Sequence, residues 1–377
     1  MFYSCNKGLE NMHQLPVEIE TSETSFHLPI ENNVHGNYLK HQVVSDSIFI
    51  GINPFNDLNS ISFFDIKNQK TLKKIYLDRN LFKYNLESFF AVAMDSIYLT
   101  SYATRDIYLI NSEGHKLNHW NLDNMNGKSY PGLNGYFFSF SLYKNFIVDP
   151  HKNKLIASIS DNVFHEEPGS SNLPKIIIID LEKNTIEDFI APPEGRMKSR
   201  GDLFFPDDIA SAQFEKIGDS LYVSYPFDDL VTVYSLKTKK VIFYKNPSAP
   251  IKLPLFEPVT LDKKKENSIM WKYRSSMPFY EDLNYHPESK IFSRIYHFEQ
   301  DVEVTSTYRK SAILFFDSHL NYIDHKIIEN GEIGIFKTSK TSRGILTGKP
   351  ENLQENENSL QHNRVFNFNV KEVAKFD

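Results

Sequence analysis

Apolar positions along the chain fall in short runs rich in Ile, Val, Phe and Tyr, bounded by Asn, Asp, Gly and Ser, with no long stretch at helical spacing. That pattern predicts strands separated by turns, because β-branched and aromatic side chains suit a pleated surface while the bounding residues tolerate tight bends. Almost no helix is expected. The clearest unit runs from Phe89 to Met94, through a two-residue turn to a strand from Ile97, a loop, a third strand at Asp106 to Ile110, a Ser112-Glu113-Gly114 turn and a fourth strand at Lys116 to Leu122. It reads as a four-stranded antiparallel meander.

The unit recurs. Asp46-Ser47-Ile48-Phe49-Ile50, Asp95-Ser96-Ile97-Tyr98-Leu99 and Asp219-Ser220-Leu221-Tyr222-Val223 are one phrase written three times. Looser copies stand at Asn153-Lys154-Leu155-Ile156-Ala157, Ser289-Lys290-Ile291-Phe292-Ser293 and Ser342-Arg343-Gly344-Ile345-Leu346. The starts at 46, 95, 153, 219, 289 and 342 differ by 49, 58, 66, 70 and 53, a spacing near that of propeller blades with variable insertions. Third strands repeat in step, at Ile61 to Asp65, Ile107 to Asn111, Ile177 to Asp180, Val231 to Ser235 and Ile313 to Asp317. The expectation is an all-β, six-bladed β-propeller of four-stranded antiparallel blades. The sixth unit offers three strands, Ile333 to Lys337, Gly344 to Leu346 and Val365 to Val370, and its fourth is expected from Thr24 to Ile30. Closure of that kind removes an open sheet edge. Residues 1–20 are then read as a residual signal and tether, and 21–377 as one domain.

With strands labelled a to d from the axis outward, the a–b and c–d connections are tight, as at Asp95-Ser96 or Lys237 to Lys240. The b–c and d–a connections are long: Asp123 to Gly135, Asp161 to Pro174, Ala191 to Asp208, Asn246 to Pro278, Glu299 to Lys310 and Lys349 to Asn363. In an up-and-down propeller both long classes emerge on one face, and long loops on a rigid scaffold are where binding residues concentrate.

Composition narrows the chemistry. The 377 residues are 40% hydrophobic and 24% charged, with 42 Lys and Arg against 48 Asp and Glu, so the basic excess needed for a nucleic-acid partner is absent. A single cysteine, Cys5, excludes intramolecular disulfides and thiolate zinc sites. No apolar run is long enough to span a bilayer. GxSxG, GxGxxG, Walker A and zinc signatures are all missing, although a triad could assemble across blades.

Candidate ligand residues sit in the long loops. Glu194, Arg196, Arg200, Asp202, Asp207 and Asp208 share one; Trp271, Tyr273 and Arg274 another; Tyr308 and Arg309 a third. Arginine forks beside aromatics suit a carboxylate, phosphate or sugar, while loop-stabilising ion pairs are the plainer reading. Arg200-Gly201-Asp202 is too short a match to carry weight. His115 and His119 are expected to be surface histidines on an outer strand, and His165-Glu166-Glu167 a polar loop. Asp149 with Asn153, and Asp228 with Asp229, supply oxygens of the kind calcium favours but form no EF-hand.

Met1-Phe2-Tyr3-Ser4-Cys5-Asn6 is similar to the end of a bacterial lipoprotein signal, in which a small residue precedes a cysteine that becomes lipidated. The charged and apolar regions that normally come first are not present, so either the start codon lies inside a longer signal or this is an ordinary cytoplasmic start with an incidental cysteine.

The blade phrase, followed by Arg105-Asp106-Ile107-Tyr108-Leu109-Ile110 and Gly114-His115-Lys116-Leu117, together with Ser4-Cys5 and the Asn, Lys, Phe and Tyr bias, resembles an uncharacterised family of Bacteroidota lipoproteins classed as a domain of unknown function. The resemblance implies a six-bladed propeller over the chain after residue 20, lipidation at Cys5 and a place in the cell envelope; the family brings no assigned activity. Similarity to NHL-type and TolB-like propellers concerns the blade pattern alone, since only 15 glycines are present.

Two functions follow as expectations. The first is a non-catalytic binding module: a monomer, without a cofactor, held to the membrane only by lipid and contacting a protein, peptide or glycan through its long-loop face. The second is a calcium-dependent hydrolase or lactonase-like enzyme whose axial metal is held by residues such as Glu87, Asp208, Glu281 and Asp282, a reading that rests on fold analogy.

Overall fold

The structure is a computed structural model. It describes residues 17–29, 40–53, 60–78, 88–101, 104–130, 136–138, 146–161, 173–193, 203–204, 212–226, 228–245, 259–260, 276–300, 309–329, 338–350 and 360–372, with single positions 80, 82, 247, 251 and 333.

Six antiparallel sheets carry the four-stranded blades in sequence order. Blade 1 is Lys40–Val44, Ile48–Asn53, Ser60–Asp65 and Lys70–Tyr76; blade 2 is Ser88–Ala93, Ser96–Ser101, Asp106–Ile110 and Lys116–Asn121. Blade 3 is Phe146–Asp149, Lys154–Asp161, Ile176–Asp180 and Thr185–Ile190; blade 4 is Gln213–Ile217, Ser220–Ser224, Val231–Ser235 and Lys240–Lys245. Blade 5 is Phe279–His286, Ile291–His297, Ser311–Phe316 and Tyr322–Ile328. Blade 6 runs Thr338–Lys340, Gly344–Pro350 and Leu360–Glu372, and its outer strand is Val17–Pro29 from the other end of the chain.

The closing strand is where the sequence places it but longer, paired with Leu360–Glu372 from Val17↔Glu372 to Pro29↔Leu360. Residues 17–20, read as tether, belong to it. The inner strand of blade 6 is Thr338–Lys340, later than the expected 333–337, of which 334–337 lie outside the described residues.

What closes the ring is a set of six apolar clusters, one between each pair of neighbouring blades. Ile50, Ile61 and Phe63 of blade 1 meet Ile97, Leu99 and Ile110 of blade 2. Tyr98 and Ile107, which alternate with those residues, face Leu155 and Ile177 of blade 3. The series continues between blades 3 and 4, 4 and 5, and 5 and 6. It ends where Leu346 of blade 6 packs on Val43, Phe49 and Phe64 of blade 1. A strand buried on both faces reads as a continuous apolar run, and this explains why the inner strands lack clean apolar–polar alternation.

The repeated Asp of the blade phrase has a physical role. Asp46 accepts the backbone N–H of Ser342 at 2.7 Å, tying the a–b turn of blade 1 to that of blade 6. Asp219 pairs with Lys152 in the a–b turn of blade 3, and Asp95 accepts the backbone N–H of Ser112 in its own blade at 3.3 Å. Arg343 and Ser342 both bond Glu288 in the a–b turn of blade 5. On the tight-turn face these contacts tie blade 6 to blades 1 and 5, and blade 3 to blade 4.

The opposite face carries the long connections. Within the 122–145 connection, Leu122–Asn124 forms a 3-10 turn and Asn126–Gly127 a short strand parallel to the outer strand of blade 3. Tyr136–Phe138 pairs with the far end of Lys154–Asp161. Leu203–Phe204 and Val259–Thr260 form a two-stranded ladder between the connections on either side of blade 4.

A bulge recurs in the outer strand of blades 1 to 5, seen as a register shift at the same place in each c–d ladder. The extra residue is Leu72, Leu117, Glu187, Ile242 or Ile323, so the kink is a property of the repeat rather than of one blade. An extra residue here raises the local twist, which curls the outer strand away from its neighbours.

Candidate functional site

Of the residues proposed from sequence, Cys5, Arg196, Arg200, Asp207, Asp208, Trp271, Tyr273, Arg274 and Tyr308 lie outside the described residues, as do Glu87, Glu194, Asp202 and His165 to Glu167. Arg309 is described and buried. Its Nη1 donates to the carbonyl of Met277 at 2.8 Å and, more weakly, to that of Phe298 at 3.4 Å, and its guanidinium lies 5.4 Å from the Phe279 ring centroid. It bridges the ends of two long connections, those entering and leaving the first two strands of blade 5.

Beneath Arg309 the inner strands of blades 4, 5 and 6 bring ionisable groups together near the axis. In Phe279–His286 the register slips between Glu281 and Asn284, and Asp282 takes a positive φ of 49°. Strand geometry would send neighbours 281 and 282 to opposite faces. The bulge instead aims both at Thr338, whose hydroxyl donates to Asp282 Oδ2 and lies 3.4 Å from Glu281 Oε1. Lys340, two residues on, places Nζ 2.5 Å from Glu215 Oε1 on the inner strand of blade 4.

Glu281 also continues outward. Its Oε2 is 2.7 Å from His297 Nε2, and His297 Nδ1 is 2.9 Å from Ser311 Oγ, which bonds the Arg309 carbonyl at 3.1 Å. Burial, reinforced by the positive Arg309, holds the His297 imidazole well below its ordinary pKa, so it is neutral at pH 7. With Nε2–H aimed at Glu281, Nδ1 accepts, and the Ser311 hydroxyl has two acceptors to choose between. The connectivity is that of a serine–histidine–carboxylate relay. Glu281, His297 and Ser311 are each at most 1% exposed, however, so the hydroxyl is closed off from solvent, and the relay joins the first three strands of blade 5.

A second buried cation locks blade 4 to blade 5. Arg294 sits on strand b of blade 5, and its Nη2 donates to the carbonyls of Tyr225 at 2.9 Å and Asp228 at 2.7 Å. The guanidinium lies 3.7 Å from the centroid of Tyr280, whose hydroxyl donates to Asp229 Oδ1 at 2.7 Å. Asp228 and Asp229 therefore order a turn and receive an arginine; among the described residues no group of acidic or histidine side chains is arranged to hold a metal ion. Asp149 pairs with Lys216 at 2.9 Å, and the Asn153 amide reaches Glu182 at 3.4 Å. Of the calcium ligands suggested for the axis, Glu281 is committed to His297 and Asp282 to Thr338. His119 lies on the outer strand of blade 2, stacked on Tyr108 and 2.8 Å from Asp106.

The polar groups that organise this axis, Glu215, Arg294, His297, Ser311, Thr338 and Lys340, were not singled out from sequence. One signal was there: Arg294 alternates with Phe292 and Tyr296 on a buried face, where a charged residue needs a specific partner. The pairing of Lys340 with Glu215, 125 positions apart, leaves no local trace.

Ring closure by six interblade clusters and one strand borrowed from the opposite terminus defines a six-bladed β-propeller. The chain belongs to the family described as a domain of unknown function, DUF4221, which matches residues 36–326. A DUF4221 member from Bacteroides vulgatus superposes with a TM-score of 0.70 at 15% identity, covering 96% of this chain and all of that one. A putative exported protein from Bacteroides fragilis gives a TM-score of 0.51 at 13% identity, covering 92% of this chain and 94% of that one. No curated protein matches.

Proposed function

We propose that this chain is a non-catalytic binding module of the cell envelope, which presents its b–c and d–a connections to a protein, peptide or glycan. The observation that carries the reading is the asymmetry between the two faces. One is made of tight turns laced by Asp46, Asp219 and Glu288, while the other holds the connections 122–145, 191–212 and 246–278. A rigid ring with one elaborated face suits recognition, because the ordering cost of the scaffold is met on folding rather than on binding. The sealed state of the Ser311–His297–Glu281 relay supports binding over catalysis at that place. Arg196, Arg200, Asp207, Asp208, Trp271, Tyr273, Arg274 and Tyr308 are the contact residues proposed on the long-loop face.

The export suggested by the name of the Bacteroides fragilis neighbour and the Ser4-Cys5 pair support an envelope location, with Cys5 as the lipid site. Among the described residues no helix is long and apolar enough to cross a membrane. The test is capture on peptide and glycan arrays with the wild-type chain and a Trp271→Ala/Tyr273→Ala/Arg274→Ala variant. Specific binding lost in the variant supports the reading. Binding that ignores these substitutions places the contact elsewhere. Fatty-acid labelling of wild type and Cys5→Ala tests the anchor separately: equal label in both removes it.

A further inference from the structure

The outer strand of blade 4 is unlike the other outer strands. In Lys240–Lys245 four consecutive large apolar side chains stand in solvent: Val241 at 40%, Ile242 at 53%, Phe243 at 43% and Tyr244 at 52% exposure. Its inner edge pairs with Val231–Ser235, and its outer edge ends the sheet. In blade 1 the exposed Leu72 and Tyr76 are kept apart by Lys73, Lys74 and the buried Ile75, with Lys73 paired to Glu113, and in blade 2 the exposed Leu117 stands between Lys116 and Asn118. The outer strand of blade 3 is flanked by Asn126–Gly127, and that of blade 5 lies against the closing strand through Lys326 and Thr21. Only blade 4, among the described outer strands, leaves such a run uncovered.

Charge says what covers it. The run is bracketed by lysines at 237, 239, 240 and 245. Lys245 bonds the Asn321 side chain at 2.7 Å, and Lys239 and Lys240 make no ion pair among the described residues. A second copy is a poor occupant. Two-fold antiparallel pairing centred on the run would set Lys240 opposite Lys245, and like charges directly opposed destabilise a ladder.

We propose that this rim is a docking surface for an extended segment of another protein, in which acidic residues flank a short β-branched or aromatic run. The segment lies along Lys240–Lys245, covers Ile242 to Tyr244 and meets the lysine ends with its carboxylates, a strand-addition mode of recognition. This surface lies on the outer rim and does not depend on the long-loop face.

The test is fluorescence anisotropy of the full chain with short labelled peptides whose Val-Thr-Val-Tyr or Ile-Thr-Ile-Phe cores carry glutamate pairs at both ends, beside lysine-flanked counterparts. The glutamate-flanked peptides should bind saturably, more weakly as salt is raised towards about 0.5 M, and the lysine-flanked ones should not. A variant with Ile242→Thr, Phe243→Thr and Tyr244→Thr changes only exposed positions and keeps strand propensity. It should melt like the wild type and lose binding by at least about tenfold. Equal binding by the variant, equal binding of lysine-flanked peptides, or no binding by any glutamate-flanked peptide overturns the proposal. Sedimentation velocity adds one more outcome: self-association abolished by the same substitutions would assign the rim to a second copy and overturn it as well.

Discussion

Lys340 of blade 6 holds Glu215 of blade 4 at 2.5 Å, linking two blades that are not neighbours in the ring. Glu215 is buried while Lys340 keeps part of its side chain in water, so the pair is a half-sheltered strut near the axis. Removing one partner strands a buried charge, which is the costly way to break such a pair. Lys340→Met should destabilise by about 1–3 kcal/mol, discounted from a fully buried pair because the ammonium is partly solvated. Lys340→Met with Glu215→Met should recover much of the loss. Urea denaturation of the four proteins of a double-mutant cycle measures the coupling; strict additivity would show that the strut contributes nothing.

Arg294 makes a sharper case. It is fully buried, stacked on Tyr280 and bonded to the carbonyls of Tyr225 and Asp228. Arg294→Met fills much of the volume but leaves those carbonyls without their donor, at an expected cost of about 3–5 kcal/mol. Arg294→Lys keeps the charge but cannot reproduce the planar fork, so it should rescue only a minor part. Hydrogen exchange should speed up in 228–230 ahead of the rest of blade 4. A lysine variant as stable as wild type would remove the fork from the argument.

His297 gives the pH dependence its sign. Its folded pKa is depressed by burial below the ordinary 6.5, so between the two values the unfolded chain binds a proton that the folded chain does not. Stability from this group is therefore complete above about pH 6.5 and declines as pH falls below it, at up to about 1.4 kcal/mol per pH unit. Melting curves from pH 7.5 down to 5 should show that slope, and His297→Gln should flatten it. A slope unchanged by the substitution would assign the acid sensitivity to other groups.

How far these features can be read from sequence depends on range. The phrases at Asp46, Asp95 and Asp219 fix the b strands because β patterning is local, and the closing strand follows from counting three strands in the last unit. The inner strand of blade 6 escaped because it is only Thr338–Lys340 and polar, so it carries no apolar signal. The axial network escaped for a different reason. Glu281 meets Thr338, and Glu215 meets Lys340, only once the ring has closed, and the bulge at Asp282 that aims two consecutive carboxylates at one hydroxyl has no motif of its own. Arg309 was legible as a residue of interest, while its burial against Met277 and Phe298 was not.

The closing strand can be tested by truncation. Val17–Pro29 covers the whole of Leu360–Glu372, adds Ile19 to the cluster between blades 5 and 6, and accepts Lys326 on Thr21. Deleting residues 1–16 should leave the melting temperature unchanged. Deleting residues 1–29 should expose a long sheet edge and produce aggregation on mild heating. Equal behaviour of the two truncations would show that the closing strand contributes no stability.

Gly344 supplies the most local test of closure. It begins strand b of blade 6, where the backbone of Phe366 on strand c approaches so closely that an added Cβ would lie 1.7 Å from the Phe366 carbonyl oxygen and 2.8 Å from its carbon. Both atoms are backbone, so no rotamer change relieves the overlap and the strands themselves must part. That movement would disturb Ile345 and Phe366, both fully buried between blades 5 and 6. Gly344→Ala should therefore cost about 3 kcal/mol, at the upper end of overpacking. Gly218→Ala is the control: its φ of +56° disfavours a side chain, but nothing lies within 4 Å, so only about 1 kcal/mol of backbone strain is expected. Urea denaturation followed by tryptophan fluorescence separates the two. If Gly344→Ala costs no more than Gly218→Ala, the close approach of Phe366 is not what requires glycine there.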